Sequence, residues 1–203
     1  MKVVCLIQAR AGSRRFPGQI FADLNGAPVI GRVYDAARAI KGVNAVHVIY
    51  PESFPARAEE DVLGRYADAA ARHEADVIVR LTGDCPLFDP QVGTAVLERY
   101  LDACNLWTRD AWAYVSNVWP VRTWPDGLDC EVFSKALLLE ASMHAEAKED
   151  REHVTPWMRR AVYADGHWLN VTLPVDWSHV RLTVDTKEDL EWLKIALKAP
   201  RSF

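Results

Sequence analysis

Apolar runs of strand length alternate with helical patterns along this chain, and that alternation constrains the fold more than any other feature. KVVCLI (2–7) reads as a buried strand, and from Pro28 onward Val29, Ile30, Val33, Ala37 and Ile40 recur at helical spacing. AVHVIY (45–50) reads as a second strand. Glu60 to His73 returns to the helical period with Val62, Leu63, Tyr66 and Ala70 inward, and VRLTGD (79–84) completes a strand that begins near Asp76. Strands and helices in this order predict an α/β domain with a mostly parallel sheet. Asp89 followed by Pro90 predicts a capped helix carrying Val92, Val96, Leu97, Tyr100 and Leu101. WAYVSN (112–117) and DCEVF (129–133) read as strands around the turn-rich WPVRTWPDG, so a small inserted β or arm region is expected near 105–130. Ser134 is placed to cap a helix through LLLEASMHA, WLNVTL and HVRLTV read as the last strands, and Thr186 with Asp189 forms a capping box for the final helix.

The string VRLTGD returns as VRLTVD at 180–185. Each run is expected to enter the core as a strand and to leave an aspartate, Asp84 or Asp185, at its tip. Ligands of open α/β sheets gather beyond the carboxyl ends of the strands, so two carboxylates there suit a shared cation. The competing reading is that each aspartate caps a turn or a helix.

Composition narrows the function classes. The 203 residues, half of them apolar, suffice for one domain with a full core. With 24 basic against 28 acidic side chains the formal net charge is −4, which gives no reason to expect a nucleic-acid-binding surface. Cys5, Cys85, Cys104 and Cys130 lie far apart with no CxxC pair, which predicts reduced thiols and a cytoplasmic protein. The apolar run in MKVVCLIQAR is too short for a signal peptide or a membrane span. Trp107, Trp112, Trp119, Trp124 and Trp157 are expected to pack in the core, with a ring-stacking surface or a subunit contact as the alternative.

The loop after the first strand, QARAGSRRFPGQ (8–19), is the densest chemical signal. It offers Arg10, Arg14 and Arg15 as cationic forks, Ser13 as a hydroxyl, and Gly12 and Gly18 where backbone N–H groups can approach an anion. It matches neither the dinucleotide GxGxxG fingerprint nor the Walker pattern, so a solvated basic loop is the alternative to a triphosphate cradle. Its position at the carboxyl end of the first strand favours the cradle.

ARAGSRRFPGQ resembles the signature loop of the cytidylyltransferases that activate acidic sugars, most closely the branch named for spore-coat polysaccharide biosynthesis. The resemblance continues through EEDVLGRY (59–66), RLTGDCPLFDP (80–90), YVSN (114–117), PDGLDCEVF (125–133), REHVTP (151–156) and RLTVDT (181–186), covering nearly the whole chain in order. It implies a single Rossmann-like nucleotidyltransferase domain that binds CTP and Mg²⁺ and joins CMP to an anionic acceptor, with loss of pyrophosphate. It also implies a homodimer. Under the resemblance Asp84 and Asp185 hold the metal, and Arg10 and Arg15 offset charge in the transition state. Ala9, Arg10, Ala11, Gly12, Ser13, Arg15, Gln19, Arg57, Thr82 and Gly83 contact the nucleotide. Asp126, Asp129, Arg151, His153 and Thr155 face the acceptor, Arg151 serving as the fork for its acidic group. The general base is left open.

Two features depart from the family pattern. The family loop usually ends PGK, and Gln19 stands where that lysine would be. After VIY the family runs through another helix and strand, whereas PESFPARA leads here at once into EEDVLGRY, with Arg57 as the remnant of a base-contacting segment. Both departures leave room for a nucleotide-binding relative with weak turnover. A glycosyltransferase-like enzyme is a further alternative, but it calls for a DxD pair, and GDCP offers only Asp84.

Overall fold

The computed structural model describes residues 1–10, 12, 15–104 and 113–198. β1 (Val3–Gln8) leads through a loop and a short 3-10 turn to α1 (Val29–Arg38), β2 (Ala45–Ile49), α2 (Val62–Arg72), β3 (Val77–Thr82) and α3 (Pro90–Cys104). β4 (Tyr114–Ser116), β5 (Glu131–Ser134), α4 (Lys135–His144), α5 (Lys148–His153), α6 (Pro156–Asp165), β6 (Trp168–Asn170) and α7 (Lys187–Ala196) follow. Residues 105–112 of the expected arm, with Trp107 and Trp112, lie outside the described residues.

The strands form one sheet in the order β2-β1-β3-β5-β4-β6. β1 runs parallel to β2 and β3, β5 runs antiparallel to both of its neighbours, and β6 is parallel to β4. Alternation along β1 explains the three layers. Val3, Cys5 and Ile7 face α1 and α3 with Val33, Leu97 and Tyr100, while Val4 and Leu6 face α2, α4 and α6 with Leu63, Tyr66, Leu138 and Met158. Trp119, Trp157 and Trp168 pack against the second of these cores as partly buried rings. Cys5, Cys85, Cys104 and Cys130 are free thiols. Among the described residues no helix is long and apolar enough to cross a membrane.

Three helix starts follow the side-chain chemistry anticipated for them. Asp89 Oδ1 accepts from Gln91 N at 2.8 Å, Ser134 Oγ accepts from Leu137 N at 3.2 Å, and Thr186 and Asp189 form both halves of a capping box.

The expected last strand, HVRLTV, is not one. It forms a single bridge, Asp126 to Arg181, and its backbone bonds go to loops. Asp126 N donates to Val180 O at 2.9 Å, Leu182 N to Asp126 O at 2.7 Å, and Val184 N to Asp84 O at 2.8 Å. Its apolar residues are buried by a different route. Val184 joins Leu24, Val29, Leu190 and Leu193 in a small third core beneath α7. Gly127, at φ +104, makes the close crossing possible, since a Cβ there would meet the Leu182 backbone at 3.0 Å.

A histidine pair at the sheet edge is expected to make stability depend on pH. His47 of β2 stacks on His73 at the end of α2, with ring centroids 3.4 Å apart and planes 10° apart. Partial burial lowers both pKa values, helped by Lys2 at His47 and by His47, Arg72 and Lys2 at His73. A histidine whose folded pKa is depressed binds fewer protons folded than unfolded. Stability is therefore expected to fall as pH drops below about 6.5, levelling off below the folded pKa values. His73→Gln removes the pair, so the difference in Tm between pH 7.5 and 5 should shrink in the variant. An equal pH dependence in both proteins would exclude the pair as the cause.

Candidate active site

A cleft of about 700 Å³ opens at the carboxyl ends of β1 and β3, between the loop that follows β1, the tip after β3, the start of α7, and a wall built from α2 and α5. Sheet topology places it there, because the chain leaves β1 first for β2 on one side and then for β3 on the other. Gln8 and Thr82 are paired in register at the two strand ends. Gly83 N then donates to Gln8 O at 2.8 Å. A Cβ on residue 83 would meet Ile30 Cδ1 at 3.0 Å, Gln8 O at 3.1 Å and Ala9 Cβ at 3.2 Å, so the two ends close on each other because this residue is glycine.

Ten residues singled out from the sequence line this cleft: Ala9, Arg10, Gly12, Arg15, Gln19, Thr82, Gly83, Asp84, His153 and Asp185. Ala11 and Ser13 lie outside the described residues. Asp84 and Asp185 are brought to one edge although only the first follows a strand, since the Val184 to Asp84 backbone bond ties their segments together. Asp185 is held from both sides. Arg15 Nη2 donates to its Oδ1 at 2.8 Å, and Arg181 Nη2 donates to its Oδ2 by a very short bond. The Arg15 side chain is 66% exposed, so its pair with Asp185 contributes about 0–1 kcal/mol and exchanges readily for an incoming anion. Asp84 is engaged far less: among the described residues its carboxylate has only the Cys85 thiol, at 3.6 Å. Gln19 is 7% exposed, and among the described residues its Oε1 has no hydrogen-bond partner.

Five anticipated site residues stand outside the cleft lining, most of them because the protein already satisfies them. Arg57 is clamped by Asp68, with Nε and Nη2 each donating at 2.8 Å. Arg151 donates through Nε to Asp61 Oδ1 at 2.9 Å and through Nη1 to Ser142 O at 2.8 Å, so this fork braces α5 against the start of α2. Asp129 accepts two bonds of 2.7 Å from Arg122. Asp126 lies 3.8 Å from Arg122 and 3.6 Å from Arg181, with its pKa raised by burial and by Asp129. Thr155 is buried at the start of α6, where its N–H donates to His153 O at 2.8 Å.

Sequence reasoning passed over several lining residues: Gln8 on the floor, Glu59, Glu60 and Arg65 from the α2 side, and Lys148 and Glu152 from α5. A signal existed for Arg65. It falls three residues after Val62 and four before Ala69, within the inward stripe of α2, where a charged residue is out of place.

The donor chemistry fits magnesium shared with a phosphate ligand. Mg²⁺ favours hard oxygen donors and is commonly held by one or two carboxylates plus substrate phosphates, which Asp84 and Asp185 can supply. Among the described residues no group of three or more His, Cys, Asp or Glu is placed to hold a metal ion.

This α/β fold is that of a class of solved nucleotidyltransferase structures. A cytidylyltransferase from Leptospira borgpetersenii superposes with a TM-score of 0.84 at 29% identity, over 100% of this chain and 90% of that one. A CMP:2-keto-3-deoxy-manno-octonic acid synthetase complexed with CTP shares the fold at a TM-score of 0.67 and 20% identity, over 97% of this chain and 98% of the other. Within that class the chain is a relative of the cytidylyltransferases. Residues 4–49 match the family model described as Cytidylyltransferase. The chain is 37% identical over 107 residues to the 8-amino-3,8-dideoxy-manno-octulosonate cytidylyltransferase of Shewanella amazonensis, a match spanning 44% of this chain and 44% of that protein. The spore coat polysaccharide biosynthesis protein SpsF of Bacillus subtilis is 29% identical over 216 residues, 95% of this chain and 85% of its own length.

Proposed function

We propose that this protein is a magnesium-dependent cytidylyltransferase that joins CMP from CTP to an anionic acceptor, an acidic sugar or a similar molecule, and releases pyrophosphate. One observation carries the reading: a single cleft gathers Arg10, Arg15, Asp84 and Asp185 at the carboxyl ends of β1 and β3. The relatives named for octulosonate transfer and spore-coat polysaccharide synthesis point to the acceptor class. A homodimer working in the cytoplasm is part of the same proposal.

In this reading the loop from Ala9 to Gln19 receives the triphosphate. Arg15 leaves Asp185 for a phosphate oxygen, an exchange favoured by its exposure and by the fit of a guanidinium fork to phosphate. An acceptor oxygen forms a bond to the α-phosphorus while the bond to the β-phosphate oxygen breaks. Arg10 and Arg15 offset the charge that builds on the phosphate oxygens. Magnesium, when bound by Asp84 and Asp185, supplies charge neutralisation for the triphosphate. Gln19 offers an amide where a lysine would have given a point charge, so it orients the ligand without neutralising it.

Thermal stabilisation by CTP, UTP, ATP and GTP, each with and without Mg²⁺, tests the reading. A ligand at one hundred times its Kd adds about 2.7 kcal/mol of stability, well above the resolution of a melting curve. The expected outcome is the largest shift with Mg·CTP. No shift with any of the four nucleotides would overturn the proposal.

A further inference from the structure

Arg65 is the least compensated charge on the cleft wall. It sits in the first turns of α2, is 3% exposed, and lines the same cavity as Arg15 and Asp84. Its guanidinium has five N–H donors. Among the described residues it makes one hydrogen bond, from Nη1 to Ala58 O at 2.8 Å, and its buried Nε has no acceptor. Two neighbouring arginines beside the start of α2 are treated differently by the fold: Arg57 has Asp68, and Arg151 has Asp61. The two carboxylates within one helical turn of Arg65 are already taken: Asp61 by Arg57, Arg151 and capping Gly64 N, and Asp68 by Arg57. Glu59 and Glu60, which also line the cleft, are solvent-exposed.

Asp61 and Glu59 offset part of the burial cost of this guanidinium, but neither hydrogen-bonds to it among the described residues, so it is stabilised further once an anion enters beside it. Lys148 and His153 of α5 line the same cavity and add basic groups. We propose that Arg65 is the receptor for an oxyanion group, carboxylate or phosphate, of the small molecule that fills this cleft. The transferase reading enters only in naming the two sources of that group, the phosphates of the nucleotide and the acid of the acceptor. Arg65 thereby takes the part that the sequence had suggested for Arg151.

Arg65→Met and Arg65→Lys decide the matter, with Tm measured alone and Kd measured for pyrophosphate, Mg·CTP, 3-deoxy-manno-octulosonate and uncharged mannose as control. In the ligand-free state Arg65→Met should melt no lower than wild type, because a buried charge that its neighbours offset only in part has been removed. It should bind at least one anionic probe about tenfold or more weakly, the equivalent of one charge-assisted hydrogen bond, with mannose unaffected. Weakened pyrophosphate and Mg·CTP assign the group to the nucleotide; a loss confined to 3-deoxy-manno-octulosonate assigns it to the acceptor. Should the Met variant fail to fold, Arg65→Lys gives the answer, since it keeps the charge but loses the fork and should weaken the same probe.

Wild-type affinity for every anionic probe in the variants would make Arg65 structural and overturn the proposal, as would a wild-type protein that binds none of them. Arg65-dependent binding of an anion by a protein indifferent to Mg·CTP would sink the transferase reading and leave the Arg65 site standing.

Discussion

Asp84→Asn is expected to leave the fold standing while removing the magnesium-dependent part of CTP binding and lowering turnover by about two to three orders of magnitude. The fold survives because the carboxylate has only a weak thiol contact at 3.6 Å among the described residues, so the isosteric amide should shift stability by no more than about 0.5 kcal/mol. The sign of the binding change is the sharper test. With magnesium present, one of two hard oxygen ligands is lost and CTP binds less well. Without magnesium, the aspartate is a negative charge close to the phosphates, and its removal should leave CTP binding equal or slightly stronger. A purely structural Asp84 predicts no such crossover. Calorimetric titration of CTP into both proteins, with Mg²⁺ and with chelator, reads it directly. Equal magnesium dependence in the variant would remove Asp84 from the site. Asp185→Asn is a less clean test, because it also strips Arg15 and Arg181 of their shared carboxylate.

What the sequence disclosed and what it hid divide along a physical line. Period and capping are local properties, so the strands from Val3 to Gln8 and from Val77 to Thr82, and the caps at Asp89, Ser134 and Thr186, could be read from neighbours a few residues away. Ala9, Arg10, Gly12, Arg15 and Gln19 line the cleft for a similarly local reason, since they follow directly on the carboxyl end of β1. Pairing is not local. Arg151 looked like a free fork, but its partner Asp61 lies 90 residues earlier, and Arg57 is neutralised across one turn-and-helix segment by Asp68. HVRLTV carries the composition of a strand, yet its backbone partners are the loops holding Asp126 and Asp84, which no periodicity announces. Arg65 is the converse, an arginine within an apolar stripe whose place on the cleft wall no local pattern announces.

Glu131→Gln should cost about 3–5 kcal/mol of stability, the usual cost of breaking a buried ion pair from one side. Glu131 is 2% exposed and sits at the centre of a buried network on the face of the sheet that packs against α2 and α6. Arg80, directly across from it on β3, and the Tyr114 hydroxyl both donate to its carboxylate in very short bonds, and Arg159 Nη2 donates at 2.7 Å. Burial alone would raise its pKa, but Arg80, Arg159 and the tyrosine hydroxyl hold it at about 2. The amide keeps the shape and one acceptor oxygen but loses the charge, which leaves the buried Arg80 guanidinium without its counter-ion, the other side-chain partner among the described residues being the neutral Gln8 Oε1 at 3.2 Å. For a chain of this size a loss of about 3–5 kcal/mol corresponds to a fall in Tm of roughly 6–20 °C.

A carboxylate whose folded pKa is depressed stabilises fully above its unfolded value and loses that contribution as pH falls toward about 2. The wild type should therefore lose stability on acidification between about pH 4.5 and 2 more steeply than Glu131→Gln does. Arg159→Met should cost less than Glu131→Gln, since Arg80 continues to neutralise the carboxylate. The network also reaches the cleft: Gln8, which Arg80 holds by its side-chain oxygen, lines the floor. Weakened CTP binding in a folded Glu131→Gln protein would show that the buried charge also sets the position of the floor. Unchanged binding with lowered Tm would confine its role to the core, and an unchanged Tm would refute the ion pair's contribution altogether.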